Sequence, residues 1–489
     1  MSTELKSLEN WNKQSIGGEW RFGNSELVNT IRNPMNNEVL AEIKQATIED
    51  INEAYTSASE QQKVWFKRKP EERVALIKRA AEVLEAMREE FVEALMLEAG
   101  STAIKANIEV DLAISDINEF SSFPLKMSYE VIPSVIPDKE NRVYTEPVGV
   151  VGVISPFNFS LYLSMRAVIA ALASGNGVVI KPDSQTPITG GFMISKLYEK
   201  AGFPRGLLNV VSTTISETGD AFVEHPIPQA ISFTGSTGVG RHIAKICGEN
   251  LKRVSLELGG NNVMIVLEDA ELDNATSAAV FGKFLHQGQI CMSLNRIIVH
   301  EAIYDEFIEK FKQKTASLKT GNPADPEVFV GPLINEAQVE KLTKWVDSSV
   351  KQGATVISRG KAEGTLIEPI ILSDVTNDMD IAQYEQFGPV AAIIKVGSEE
   401  EAIQIANDSD YGLTGSVYSG DIDRGIDVAL QVKTGMIHVN DQSVNCESNI
   451  PFGGEKSSGL GRYGGEWSLS EFTTKKWVSV QNAPRPFPF

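Results

Sequence analysis

Residues 148–184 read VGVVGVISPFNFSLYLSMRAVIAALASGNGVVIKPDS. A run of Val and Ile closes on Ser-Pro, an apolar stretch of helical length follows, and a second run, GVVIKP, begins after a Gly-Asn-Gly break. Short β-branched runs bounded by turn residues on either side of a helical stretch describe a strand–helix–strand unit. The pattern continues outward through LLNVV (207–211), AISFTG (230–235) and VSLELGG (254–260), with helical stretches from about 188 and 236 between them. Strands apolar along their whole length need cover on both faces. The spacing therefore predicts a Rossmann-like parallel sheet between helices, with its ligand at the carboxyl ends of the strands.

Upstream, residues 48–120 carry apolar positions three and four apart, with Gly100 as a stop, and read as helical scaffold. Residues 122–145 alternate and contain prolines, as a hairpin standing off the main body would. A second α/β stretch runs from Asn262 to about 450, with strands expected at VMIVL, RIIVH, VAAIIKV and GMIHVND. The tail KKWVSVQNAPRPFPF (475–489) alternates and then turns to Pro and Phe, the composition of an edge strand seeking a partner.

A chain of 489 residues exceeds the size of a single hydrophobic core, so more than one domain is expected. Its net charge of −20 argues against a nucleic-acid backbone or an anionic membrane as main partner. The N-terminus lacks a secretory pattern, no apolar run approaches ~18 residues, and the protein reads as cytoplasmic. Three widely spaced cysteines, with no CxxC, speak against a disulfide framework or a metal site.

Four positions carry chemistry. Gly235, Ser236, Thr237 and Gly240 form a glycine-rich strand-to-helix turn whose N–H groups and hydroxyls suit a phosphate, although it is neither G-x-G-x-x-G nor a Walker A loop. Glu257 ends an apolar strand before Gly259 and Gly260, where a tight turn is expected; a carboxylate there has a raised pKa and suits a general base, unless a salt bridge holds it. Cys291 stands between a helix and a strand, a nucleophile's place or that of a small buried hydrophobe. Asn158 lies just past a strand end, where its amide suits an oxyanion or simply caps a turn.

These motifs occur in one order: SPFNF, VIKP, FTGS, LELGG, GQICMS, EQFGPV and PFGGEKSSGLGRYGG. In that order the chain resembles the aldehyde dehydrogenase superfamily over nearly its whole length. The resemblance implies Cys291 as nucleophile, Glu257 as general base and Asn158 as oxyanion donor, with no metal. It implies NAD or NADP as cofactor, held by Lys181, Ser184, Gly235, Ser236, Glu385 and Phe387 with Ser155 and Phe157 alongside, and places Glu466 on a proton path. It further implies a cofactor domain from 1–121 and 146–257, a catalytic domain from 258–450, and an oligomerisation element from 122–145 and 467–489, serving a homodimer or homotetramer.

Ser184 departs from the Glu that many NAD-linked members carry, which leaves room for a 2′-phosphate unless the neighbouring Asp183 turns in. The segments around Cys291 and Cys446 are most similar to the benzaldehyde and vanillin dehydrogenase branch, which implies an aromatic aldehyde walled by Phe159, Leu163, Ile290 and Met292. Arg166 matches a carboxylate-binding arginine of succinate-semialdehyde dehydrogenases, so an acidic semialdehyde is the alternative substrate. A catalytically silent relative would be expected to lack one of Cys291, Glu257 and Asn158; a CoA-acylating one would generally lack the Glu257-type base.

Overall fold

The strand–helix pattern of 148–260 folds, in the computed structural model of residues 8–489, into a six-stranded sheet. Val150–Ile154 is central, with Gly177–Lys181 and Leu208–Val210 on one side and Ala230–Thr234 and Arg253–Glu257 on the other, all parallel. Period-2 alternation divides the strand residues between two cores: Val151 and Val153 pack with the fully buried helix Ser160–Ala173, while Val150 faces Ile51, Ala54 and Tyr55 of the helix Ile48–Phe66. That first helix opens with a capping box between Thr47 and Asp50. Helices Pro70–Ala86, Arg88–Ala99 and Ala103–Phe120 complete the expected scaffold, and Gly100 caps the third of the four in a left-handed conformation. Residues 1–7, which the sequence assigns to the cofactor domain, lie outside the described residues.

The sixth strand comes from far downstream. Gly459–Leu460 pairs antiparallel with Arg253–Glu257, so part of the glycine-rich segment after 450 returns to the first sheet. The second sheet runs Thr355–Arg359, Ile370–Ser373, Val390–Val396, Leu294–His300, Asn262–Val266, Gly415–Tyr418 and His438–Val439, parallel except for its first strand. Val263 and Ile265 face one core and Met264 and Val266 the other.

The tail forms an edge strand, and it finds one partner within its own chain. Thr473–Gln481 is not left without a partner: it pairs antiparallel with Lys139–Pro147, from Thr473 opposite Pro147 to Gln481 opposite Lys139. One edge of the strand is thereby satisfied within the chain, and in the three-stranded sheet completed by Tyr129–Pro133 it remains an outer strand. The hairpin starts later than 122, because Phe123–Lys126 is a helical turn. Among the described residues no helix is long and apolar enough to cross a membrane, and no cluster of His, Cys, Asp or Glu is placed to hold a metal ion.

Candidate active site

The carboxyl ends of the first sheet's strands open onto a cleft of about 520 Å³, which also draws Cys291, Glu385 and Phe387 from the second α/β region. A smaller cavity of about 180 Å³ lies next to it. Three residues, Asn158, Leu163 and Cys291, line both. Cys291 therefore stands at the junction of a long polar cleft and a short apolar pocket.

Cys291 follows the helix Leu272–Phe284 and the turn Leu285–Gly288, and precedes the strand Leu294–His300. Its carbonyl accepts a 2.7 Å hydrogen bond from Asn262 Nδ2, which also donates to the Ser293 carbonyl at 2.8 Å. Those bonds fix the nucleophile loop against the neighbouring strand. Burial pushes the Cys291 thiol up to about 12, helped by the charges of Glu385 and Glu257 and opposed by Arg166. The resting thiol is protonated and needs a base.

Glu257, 3 % exposed at the end of its strand, lines the same cleft as Cys291. Burial raises its pKa to about 8, Arg166 and Arg462 oppose the rise, and Glu471 adds to it. Among the described residues its Oε1 has no hydrogen-bond partner and no ion pair holds the side chain, which leaves the salt-bridge alternative without support. Gly259 and Gly260 are needed for close approach and not for a turn, since neither has a positive φ. A Cβ on Gly259 would lie 2.7 Å from Glu385 Oε2, and one on Gly260 would collide with the Cys291 carbonyl. Gly453, of the PFGG motif, lets Glu257 in: a Cβ there would sit 3.1 Å from Oε1.

Asn158 lies between the strand Val150–Ile154 and the helix Ser160–Ala173, and its Nδ2 donates to the Gln289 carbonyl at 3.0 Å. Its own carbonyl accepts from Lys105 Nζ at 2.7 Å. Lys105 is fully buried and paired with Glu109, whose Oε1 accepts the N–H groups of Leu161 and Tyr162 at 2.8 and 3.1 Å. The sequence reading missed this pair. Its signal was an i, i+4 Lys-Glu spacing on the apolar face of a helix rather than on its wet face.

Along the cleft lie Ser155, Phe157, Lys181, Asp183, Ser184, Gly235, Ser236, Glu385 and Phe387. Ser236 caps the helix Thr237–Glu249 without committing its hydroxyl to a cap bond, leaving a helix N-terminus open to a phosphate. Thr237 does not face the cleft in the same way, because its hydroxyl donates to the Ser457 carbonyl at 3.1 Å. Phe387 holds a left-handed φ of 53° and meets Phe157 edge-to-face at 5.8 Å. Glu385 accepts from Gly260 N at 3.0 Å, and burial raises its pKa to about 7 against that bond and the charges of Lys341 and Lys283. Asp183 is turned to its own loop, its Oδ1 accepting from Gln185 N at 2.8 Å. The cleft's volume, the helix N-terminus that opens on it and its mixture of polar and aromatic side chains fit a dinucleotide.

Phe159, Leu163, Ile290 and Met292 line the smaller cavity as expected, together with Phe281, Leu285, Val444 and Phe452. Arg166 is not among its lining residues. Its guanidinium packs 4.4 Å from the Phe452 ring centre and 4.5 Å from that of Tyr463, behind the pocket, one turn farther along the helix than Tyr162 and Leu163. Glu466 is likewise displaced: it begins the helix Gly465–Glu471, is exposed, and pairs with Lys126. The acidic neighbour that raises the Glu257 pKa is Glu471.

Comparison with known proteins agrees with this geometry. A family model described as the aldehyde dehydrogenase family matches residues 20–478. The chain is 49% identical over 481 residues to a benzaldehyde dehydrogenase of Bacillus subtilis, covering 98% of this chain and 99% of that protein. It is 49% identical over 473 residues to a vanillin dehydrogenase of Corynebacterium glutamicum, covering 96% and 98%. The crystal structure of a NAD-dependent benzaldehyde dehydrogenase from Corynebacterium glutamicum superposes with a TM-score of 0.89 at 46% identity, over 96% of this chain and 98% of that one. A model match over most of the length, and relatives this similar from end to end, make this chain a member of the aldehyde dehydrogenase family.

Proposed function

We propose that this protein oxidises an aromatic aldehyde to its carboxylic acid, with Cys291 as covalent nucleophile and NAD or NADP as acceptor. The observation that carries the reading is the cavity beside Cys291, whose walls are aromatic and aliphatic and include no Lys or Arg. An acidic semialdehyde would need a cation there, and Arg166 is packed behind the wall. The benzaldehyde and vanillin dehydrogenases among its relatives support the same substrate class.

The chemistry follows from the placement of the side chains. Cys291 passes its proton toward Glu257 as its sulfur adds to the carbonyl carbon. The oxygen that becomes anionic is met by the Asn158 amide. Bound in the cleft, the dinucleotide supplies the acceptor for the hydride lost from that carbon. What remains on Cys291 is a thioester. Glu257, once it has released the first proton to solvent, takes a proton from an attacking water, the C–S bond breaks, the acid leaves, and Glu257 returns the proton to the Cys291 sulfur to restore the thiol.

Lys181, Ser236 and Glu385 are the polar groups proposed to hold the cofactor. Ser184 puts no carboxylate at its position, which leaves room for the 2′-phosphate of NADP, while Asp183 beside it is held to its own loop by Gln185 N. All three cysteines are free thiols, in keeping with a cytoplasmic setting. The sheet of Tyr129–Pro133, Lys139–Pro147 and Thr473–Gln481 exposes Val131, Ile132, Trp477 and Val478, and supports assembly into a homodimer or homotetramer.

The test compares benzaldehyde with succinic semialdehyde as substrates for the wild type and for Cys291→Ala. The wild type is expected to favour benzaldehyde in kcat/KM and the variant to oxidise neither while still binding the dinucleotide. A preference for the semialdehyde, or turnover by the variant, overturns the reading.

A further inference from the structure

The cavity beside Cys291 carries one hydroxyl group among its lining residues, that of Tyr162. Tyr162 is 5 % exposed. A phenol buried to that degree ordinarily finds a good oxygen or nitrogen partner. This one has the sulfur of Cys446 at 3.7 Å, a weak partner on the same cavity wall. The other side-chain donors of the wall are better engaged: Asn158 Nδ2 donates to the Gln289 carbonyl at 3.0 Å, and Asn445 Nδ2 to Asp441 Oδ2 at 3.0 Å.

The phenol is also held in place. Tyr162 lies in the first turn of the helix Ser160–Ala173, where its N–H is bound to buried Glu109. The Arg166 guanidinium lies 5.7 Å from its ring centre on the interior side. Burial, with the charge of Asp116 nearby, keeps its pKa well above the usual phenol value, so the group remains a donor at any working pH.

We infer that Tyr162 is a specificity residue whose hydroxyl donates a hydrogen bond to an oxygen substituent on the aromatic ring of the substrate, so that the preferred substrates are ring-oxygenated benzaldehydes. The inference rests on the aromatic-aldehyde reading above. With the aldehyde carbon at Cys291 and the ring among Phe159, Leu163, Ile290 and Met292, Tyr162 supplies the hydroxyl of a mainly apolar wall whose two amide donors are already engaged. A ring oxygen there replaces a weak sulfur contact with an ordinary O–H···O bond. An unsubstituted ring leaves the phenol as it is.

The experiment measures kcat/KM for benzaldehyde and for 2-, 3- and 4-hydroxybenzaldehyde with the wild type and with Tyr162→Phe. Each result is read as the ratio of a hydroxylated substrate to benzaldehyde within one protein, so that loss of folded enzyme cancels. The wild type is expected to prefer at least one isomer. Tyr162→Phe is expected to lower that ratio by about 3- to 10-fold, the usual effect of one neutral hydrogen bond. A wild type that prefers none of the three isomers, or a ratio unchanged in Tyr162→Phe, overturns the assignment while leaving the aromatic-aldehyde reading in place. Failure of the wild type to oxidise benzaldehyde and all three isomers overturns that underlying reading itself.

Discussion

Lys105 Nζ donates a 2.7 Å hydrogen bond to the backbone carbonyl of Asn158, so the residue whose amide is proposed to meet the oxyanion is held from behind by a buried cation. Ser101 Oγ at 3.0 Å and the Glu109 carboxylate take the other two directions of the ammonium group. Through Glu109 the same cation is tied to the N–H groups that open the helix Ser160–Ala173. Lys105→Met removes one partner of a fully buried ion pair and leaves the other charge unpaired. A loss of about 3–5 kcal/mol in unfolding free energy is expected from denaturant titration, with kcat falling more than KM rises. A variant as stable and active as the wild type would show that the contact holds nothing.

Asn158→Ala removes the amide proposed to meet the oxyanion. Its kcat is expected to fall by about 10²–10³-fold, the usual cost of one such donor. Steady-state kinetics decide it; a change confined to KM would make Asn158 a positioning residue only.

Glu257 must be deprotonated to accept a proton, and burial raises its pKa to about 8. The base form therefore predominates only above that pH. Activity is expected to climb with pH and level off above about 8, in a profile of log kcat taken with saturating substrates. Glu257→Gln should abolish that limb along with most of the deacylation. The Cys291 thiol, near 12, lies too high to account for it.

Ser184→Glu should shift cofactor preference strongly towards NAD. A carboxylate at this cleft position accepts from free ribose hydroxyls but faces the 2′-phosphate of NADP at close range. An NAD-to-NADP ratio of kcat/KM unchanged by the substitution would move control of the choice elsewhere.

Truncation after Phe472 strips Thr473–Gln481 from Lys139–Pro147 and leaves that strand an unpaired edge. Light scattering is expected to show an oligomer for the full chain and a smaller particle for the truncated one. Equal masses, or a monomeric full chain at micromolar concentration, would dismiss this sheet as the interface.

Much of the fold lay in local pattern. The strands around 148–260 are short, β-branched and apolar on both faces, and a chain of that kind has little choice but a covered parallel sheet. The same pattern sets Asn158, Gly235 and Glu257 at or just past strand ends, and the parallel sheet gathers them on one cleft. The sequence also foretold that Glu257 would be an acid of raised pKa, because its apolar neighbours are adjacent in the chain.

Tertiary structure decided whatever depends on residues distant in the chain. Thr473–Gln481 carries an edge strand's pattern, but pattern does not name a partner, and the chain supplied its own. Arg166 and Glu466 were placed by motif alignment, yet the direction of a side chain is set by helix rotation and packing: one turned onto Phe452 and Tyr463, the other out to Lys126. Gly259 and Gly260 proved to make room for Glu385 and the Cys291 carbonyl, groups that local reading could not bring near. Lys105 and Glu109 looked like any helical ion pair until burial against Asn158 showed what they hold. A sequence fixes periodicity and local conformation, because those act between neighbours; contacts between distant residues exist only once the whole chain has packed.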